Sequence, residues 1–298
     1  MTRGRVGLTG ATGFVGRSVL ARLLEGDYSV NVLARNPEKA LGLKATGVEI
    51  FKGDVTLPAS IDPEFFRDLD FLIHLVGIIR ESGRQTFELV HFEGTRNIVD
   101  LAKEAGIKKY VHMSGLGTRP DARSRYHKTK WKAEEYVRSS GLTHTIFRPS
   151  VIFGKSGEFI DTLVKLISYS PIVPAIKSGK LQPVHVRDVA ECFVRALDAE
   201  ETNGRTIPIV GPEQLTLREI IERVCEVMGK RRLIVSVPPD FIYIPTLLLQ
   251  SVLRNPPLTT EDLIMLEEDN TASLEEVRSV FPDYSPTPFK EGLREFLG

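Results

Sequence analysis

Thr9-Gly10-Ala11-Thr12-Gly13-Phe14-Val15-Gly16 is the stretch that decides how this 298-residue chain folds. It follows the apolar run Val6-Gly7-Leu8 and opens a segment in which Val15, Val19, Leu23 and Leu24 recur at helical spacing, with Gly26 placed to end the helix. Glycines at a strand-to-helix turn let the backbone reverse sharply and bring its N–H groups close to a pyrophosphate, whose charge the helix N-terminus favours. The spacing G-x-x-G-x-x-G is one residue wider between the first two glycines than the usual dinucleotide fingerprint; its position in the first βαβ unit gives it weight. Gly10, Thr12, Gly13, Phe14, Val15 and Gly16 are therefore candidate cofactor-binding residues.

Outward from this turn, apolar runs alternate with amphipathic ones. Val6–Thr9, Val30–Ala34, Val48–Phe51, Phe71–Val76, Tyr110–Met113 and Thr143–Phe147 each read as a buried strand. Such strands separated by helices predict an α/β fold, a Rossmann-type doubly wound parallel sheet. After Pro149 the pattern changes: a helix over Phe159–Tyr169, a strand over Pro183–Val186, a helix over Val189–Leu197 and a strand over Thr206–Val210. Thr216-Leu217-Arg218-Glu219 has capping-box spacing and opens a helix to Val227, and Ser273-Leu274-Glu275-Glu276 repeats the signal. Prolines 238, 239, 245, 256 and 257 are expected to break the region between into short pieces. The predicted division is a nucleotide-binding core, 1–150 with 183–210, and a smaller mixed C-terminal lobe for substrate or partner, 151–182 with 211–298.

Composition excludes several classes. Lys+Arg and Asp+Glu both number 39, and a formal net charge of zero argues against a nucleic-acid binder. Cys192 and Cys225 supply neither a disulfide framework nor a four-cysteine zinc site, and fit a reduced, cytoplasmic setting. The six histidines, at 74, 91, 112, 127, 144 and 185, lack metal-ligand spacing, so no metal is expected. His112 reads as a hydrogen-bonded core residue and Trp131 as a packing anchor. Phe241–Leu253, the most apolar window, falls short of the roughly 20 residues that span a bilayer, although it could lie on a membrane surface. From Asn255 to Gly298 three basic residues face ten acidic ones, against 36 and 29 in the remainder. That end is either a solvated helical face or a docking surface for a basic partner. The three arginines between Arg119 and Arg125 are either solvated or recognise an anionic group.

The end of the second strand bears on the choice of cofactor. An NAD site usually places a carboxylate there for the ribose 2′-hydroxyl. Here the strand ends Leu33-Ala34-Arg35, and a guanidinium pairs with a 2′-phosphate in fork geometry. Arg35, aided by Arg17 or Lys39, favours NADP(H) over NAD(H). Further on, Tyr126 and Lys130 stand four apart on a predicted helix and share one face. An ammonium beside a phenol favours the phenolate and is expected to pull its pKa below about 10.

The chain resembles the short-chain dehydrogenase/reductase superfamily in its extended and atypical branches. The glycine triad, Gly53-Asp54-Val55, Gly94-Thr95-Arg96-Asn97, Tyr126-His127-Lys128-Thr129-Lys130 and Arg148-Pro149-Ser150 carry the resemblance. A narrower likeness is to bacterial relatives of the nucleotide-binding accessory subunit of respiratory complex I. It rests on Leu75-Val76-Gly77-Ile78-Ile79-Arg80-Glu81, on 147–154, on 182–190 and on Leu258-Thr259. The resemblance implies that Asp54, with Val55 beside it, holds the adenine, that Leu75, Val76 and Gly77 line the cofactor ribose, and that Pro149 lies near the nicotinamide. It further implies that Tyr126 transfers a proton while Lys130 tunes it and holds the nicotinamide ribose. Ser114 falls at the structural serine and would orient a substrate oxygen. Two positions depart from the pattern: Gly115 stands where the catalytic Ser or Thr belongs, and His91 replaces an asparagine.

Two functions follow from the resemblance. One is an NADP(H)-preferring oxidoreductase or epimerase/dehydratase-type enzyme moving hydride at a carbonyl or alcohol carbon of a carbonyl, quinone-related or sugar-nucleotide substrate. The alternative is a non-catalytic NADPH-binding accessory or assembly subunit of a respiratory NADH:quinone oxidoreductase-like complex, peripheral to the inner membrane.

Overall fold

The structure is a computed structural model that describes residues 3–43, 47–177, 179–253 and 258–298. In chain order its elements are β1 (Arg5–Thr9), α1 (Phe14–Glu25), β2 (Ser29–Ala34), α2 (Pro37–Ala40), β3 (Val48–Lys52), β4 (Phe71–His74), α3 (Gly94–Glu104), β5 (Lys109–Met113), α4 (Arg125–Ser139) and β6 (His144–Pro149). There follow β7 (Ile152–Phe153), α5 (Glu158–Tyr169), β8 (Ile172–Ile176), β9 (Val184–His185), α6 (Val186–Arg195) and β10 (Arg205–Ile209). The chain closes with α7 (Leu217–Val227), β11 (Leu233–Val237), α8 (Pro239–Val252), α9 (Thr260–Glu267), α10 (Leu274–Arg278) and α11 (Phe289–Leu297).

Apolar side chains on both faces make the strands: β1 and β2 bury all but their first residue and β4 is buried throughout. The main sheet runs β10-β6-β5-β4-β1-β2-β3, and β1 to β6 pair in parallel. An order of 3-2-1-4-5-6 is that of the doubly wound dinucleotide folds, so the expected Rossmann-type sheet is borne out. The strand order reverses beside β1, and ligands of such sheets bind outside the carboxyl ends of the strands at that reversal. The register sets Thr9 level with Leu33 of β2 and His74 of β4. β4 stops at His74, short of the expected Val76, while Leu75 N–H still donates to Thr9 O (3.3 Å).

Two compact units are distinguished. The larger comprises Met1–Asp121, Tyr126–Arg148 and Val189–Ile207; the smaller comprises Ala122–Arg125, Pro149–Asp188 and Pro208–Gly298. In the larger, Phe65, Leu72, Ile98, Val99, Tyr110, Val137 and Ile146 pack in one buried cluster. In the smaller, Ile160 and Ile167 of α5, Ile220 and Val224 of α7, and Phe289 and Leu293 of α11 gather with Phe153. The expected capping box opens α7: Thr216 accepts from Glu219 N–H while the Glu219 carboxylate reaches back. A second box, Thr259 with Asp262, opens α9. At α10 only a single cap forms, Ser273 accepting from Glu275 N–H.

The acidic end and the arginine run answer each other within the smaller unit. Arg123 pairs with Glu267 (2.7 Å), Arg125 N–H donates to the Glu261 carboxylate (3.0 Å), and Arg187 pairs with Glu295.

Two expectations are corrected. The prolines do not fragment 239–252, which forms the continuous helix α8. Pro238 is its N-cap and Pro239 its first residue, where a missing N–H loses no helical bond; Pro245 alone sits inside, and Pro256 and Pro257 lie outside the described residues. His112 is not a hydrogen-bonded core residue: both its ring nitrogens, like the Tyr110 hydroxyl, are buried without a hydrogen-bond partner among the described residues. Its ring stacks on His74 (centroids 5.6 Å apart), and burial, then the Lys130 charge, hold it neutral.

A stranded buried hydroxyl costs about 1–3 kcal/mol. Tyr110→Phe removes it and is expected to raise the unfolding free energy by about 1 kcal/mol in urea denaturation. A loss of that size would show that the hydroxyl has a partner after all.

Candidate dinucleotide-binding site

At the turn after β1, Gly10 has φ +79°, a conformation that strains any L side chain. A Cβ on Gly16 would fall 2.1 Å from the Gly10 carbonyl oxygen and 2.7 Å from Ala11 Cα, so only glycine lets α1 approach this closely. Gly13 N-caps α1 and its N–H donates to Gly10 O (3.0 Å). No side chain caps the helix and no acidic residue occupies its first turn, which suits the helix N-terminus to an anion. Thr12 and Gly13 are exposed and Phe14 half-buried, whereas Val15 and Gly16 are buried. The first three therefore leave the turn accessible, with Gly13 N–H held by Gly10 O, and the last two pack the helix.

Arg35 is exposed, one residue past β2 and two past Leu33, the register partner of Thr9. Among the described residues its guanidinium has no ion-pair or hydrogen-bond partner. Lys39 is exposed in α2, whose N-cap Asn36 accepts from Glu38 and Lys39 N–H; Arg17 Nε donates to Thr12 O (3.3 Å). Past β3, Asp54 folds into its own turn, with Oδ1 accepting from Thr56 N–H (2.9 Å) and hydroxyl (2.8 Å). Val55 is buried, and Asn97 Nδ2 donates to its carbonyl (2.9 Å), which ties this loop to α3.

On the other side of β1, Leu75 is buried, Val76 half-buried and Gly77 exposed. A Cβ on Gly77 would lie 3.1 Å from Lys130 Nζ. Lys130 is almost fully buried and donates to Met113 O (2.9 Å) at the end of β5. Burial lowers its pKa to about 8, against the opposing pull of Glu134. Tyr126, Lys130, Glu134 and Arg138 stand at four-residue intervals on α4 and so share a face. Glu134 is fully buried and receives Arg148 in a two-pronged pair (2.8 and 2.6 Å) as well as Arg138. Trp131 anchors both guanidiniums, Arg138 at 5.0 Å and Arg148 at 5.8 Å from its ring centre.

The Tyr126 ring is caged by edge-to-face contacts with Phe87 (5.9 Å), His91 (5.1 Å) and His127 (5.1 Å). That cage reverses the expected titration: burial pushes the phenol up to about 12, and Lys130 does not offset it. At neutral pH Tyr126 is a proton donor rather than a phenolate. Ser114 is buried with its hydroxyl 3.4 Å from Thr118 Oγ1, which in turn lies 3.2 Å from His127 Nδ1. Gly115 is the residue that meets the phenol, because a Cβ there would stand 3.4 Å from the Tyr126 hydroxyl. Pro149 ends β6 and is the first residue of its segment in the smaller unit.

Two histidines join the site without having been singled out for it. His91, in a π-helical turn (Glu88–Glu93) ahead of α3, meets the Ile78 backbone at Nε2, 3.1 Å from its N and 2.9 Å from its O, and its Nδ1 lies 3.0 Å from Thr129 Oγ1. It thereby links the loop after Gly77 to α4. His74 sits between Thr9 Oγ1 (2.8 Å) and Thr95 Oγ1 (3.4 Å), clamping β1 and α3 across β4. Burial and the Lys130 charge lower His91 to about 2 and His74 to about 3, and burial with Arg119 lowers His127 to about 4. The departure at His91 from the asparagine of the resembled family was the one available signal; His74 had none.

A glycine cradle at a bare helix N-terminus, an arginine past β2 that has no partner among the described residues and a buried lysine beside the loop after β4 define a dinucleotide-fold protein. The chain belongs to the NAD(P)H-binding family, which matches residues 10–200. It is 31% identical to the photosystem II assembly factor Ycf39 of Guillardia theta, over 77% of this chain and 72% of that one. It is also 31% identical to the mitochondrial NADH-ubiquinone oxidoreductase 40 kDa subunit of Neurospora crassa, over 78% of this chain and 62% of that subunit. Among solved structures, the triphenylmethane reductase of Citrobacter sp. complexed with NADP(H) matches with a TM-score of 0.79 at 20% identity, covering 98% of this chain and 99% of that one. The resemblance read from the sequence is thereby borne out.

Lys130 supplies a test of the site's electrostatics. Its buried ammonium costs stability below about pH 8, and the cost is relieved as pH rises toward 10.5, where the unfolded chain also loses the proton. The stability gap between Lys130→Met and the wild type is therefore expected to move in the wild type's favour between about pH 8 and 10.5. A gap independent of pH across that window would mean that Lys130 is solvated.

Proposed function

We propose that the chain is an NADP(H)-preferring oxidoreductase or epimerase/dehydratase-type enzyme acting at a carbonyl or alcohol carbon. The observation that carries this reading is the neutral Tyr126 phenol four residues before a buried lysine that rests on the Gly77 loop. Backbone N–H groups around Gly10, Thr12, Gly13 and Phe14 take the pyrophosphate, and Arg35 takes the 2′-phosphate. Asp54 and Val55 flank the adenine, Leu75 to Gly77 and Lys130 the second ribose, and Pro149 the nicotinamide. The cofactor, when bound, supplies or accepts hydride. Tyr126 gives its proton to an oxygen that gains negative charge, and Lys130 favours the resulting phenolate electrostatically. Ser114, whose hydroxyl lies 3.4 Å from Thr118 Oγ1, orients that oxygen, and Gly115 offers no hydroxyl beside the phenol. In this reading the core (1–150 with 183–210) carries the nucleotide, and the smaller lobe (151–182 with 211–298) selects a carbonyl, quinone-related or sugar-nucleotide substrate.

Gly115 also favours a second reading, that of a non-catalytic NADPH-binding accessory or assembly subunit peripheral to a membrane complex. The names of the Guillardia and Neurospora relatives support it.

Titration with both pyridine nucleotides tests the cofactor. Arg35→Ala is expected to weaken NADPH binding about ten-fold or more while leaving NADH unchanged, since a charge-assisted hydrogen bond is lost only with the former. Equal losses for both would remove Arg35 from the 2′-phosphate.

Turnover against a carbonyl and quinone panel separates the two functions. Tyr126→Phe is expected to lower it by about 10²–10⁴ with cofactor affinity retained, and Gly115→Ser to raise it. A chain that holds NADPH but shows no turnover in either the wild type or Gly115→Ser is the accessory subunit.

A further inference from the structure

Helix α8 is built unlike α5, α7 and α11, the other long helices of the smaller unit. α5, α7 and α11 each bury one apolar stripe, as helices on a globular core do. In α8 only Thr246 is buried, while Phe241 (74% exposed), Ile244 (65%), Leu247, Leu248 (63%) and Val252 (83%) stand in solvent. At 3.6 residues per turn these positions fall within about 140° of the circumference, one broad apolar face turned to solvent. The strand leading into α8 continues the pattern. β11 pairs in parallel with β8 so that Leu233 lies level with Ile172 and Val235 with Pro174, and all four are exposed on the outer face of this two-stranded sheet.

The segments that carry these apolar groups are net basic, while α9, which packs beside α8 through the Gln250–Thr260 bond, carries Glu261, Asp262 and Glu267, and Glu267 is paired with Arg123. Segments 162–177 and 228–253, which supply the surface, contain Lys165, Lys177, Lys230, Arg231 and Arg232 against Asp240 alone. A net charge of +4 is thus concentrated here in a chain whose total is zero. Lys177 N–H bonds to Val237 O (2.9 Å), which brings that lysine to the start of α8, and Lys230 to Arg232 run straight into β11. An exposed apolar helix bordered by basic side chains matches an anionic lipid surface, where acyl chains take the apolar groups and headgroups take the cations. A second copy of the chain fits worse, because a self-complementary interface would bring the same lysines and arginines together. Fourteen residues of helix reach about 21 Å, less than the roughly 30 Å hydrocarbon core, and among the described residues no helix is long and apolar enough to cross a membrane.

We propose that α8 and the outer face of β8–β11 dock in the plane of an anionic bilayer, with α8 lying in the headgroup–acyl boundary. The inference is independent of whether Tyr126 is catalytic. Flotation of the full chain with vesicles tests it, using phosphatidylcholine alone and phosphatidylcholine mixed with phosphatidylglycerol. The chain is expected to float with the mixed vesicles, less so at high salt, and about ten-fold more weakly with phosphatidylcholine alone. Arg231→Glu should weaken flotation with the mixed vesicles only. Ile244→Asp/Leu248→Asp, at exposed positions, should abolish flotation with an unchanged circular dichroism spectrum and unchanged NADPH titration. Equal flotation with both vesicle types, or none with either, overturns the proposal. So does a dimer, seen by sedimentation, that the Asp variant converts to monomer without any flotation of the wild type.

Discussion

The approach of α1 to the Gly10 carbonyl is the constraint on which the larger unit depends. With no Cβ on Gly16 the helix starts directly above the end of β1, and its unpaired N–H groups open at the reversal of the strand order. Everything that surrounds the turn keeps it there. His74 clamps Thr9 and Thr95, Leu75 bonds back to Thr9, and Asn97 holds the loop after β3. A side chain at position 16 would have to push α1 off the strand and would lose the packing of Val15, Val19 and Leu23 with it.

The electrostatics of the other flank reduce to one buried cation among neutral groups. Burial first, and then the Lys130 charge, lower the pKa of His74, His91 and His112, and burial with Arg119 and Arg148 lowers that of His127, so four imidazoles stay uncharged beside the lysine. Glu134, one turn further along α4, would be costly to bury alone, and Arg138 and Arg148 neutralise it. The result is a low-dielectric wall in which a single ammonium acts on whatever lies against Gly77, with little competing charge. Such a wall suits both proposed roles, since it can stabilise a phenolate formed in a reaction or simply fix a ribose. The side chain missing at position 115 is what distinguishes them.

Strand order and the glycine turn were legible in the sequence because each depends on neighbours in the chain: apolar runs for β1 to β6, and strand–turn–helix continuity for Gly10 to Gly16. The Tyr126–Lys130 pair was legible for the same reason, through its four-residue spacing. Its titration was not, because the phenol is buried by Phe87 and His91, some 35 to 39 positions earlier in the chain. The stranded nitrogens of His112 were equally hidden, since a strand pattern reports burial but not what an imidazole finds there. Nor does the charge pattern show that the arginine run meets the acidic end in Arg123–Glu267, a pair separated by 144 positions. The prolines before α8 were misread because Pro at an N-cap or first helical position starts a helix as readily as Pro elsewhere ends one.

The smaller unit is drawn from three separate stretches of chain, and the larger needs Val189–Ile207 to supply β10 at the edge of its sheet. During vectorial synthesis the first six strands emerge well before that edge strand, and some forty residues belonging to the other unit leave the ribosome in between. Neither unit can be transplanted as one contiguous cassette. Descendants of this architecture are therefore expected to diversify by altering segments in place rather than by exchanging a lobe.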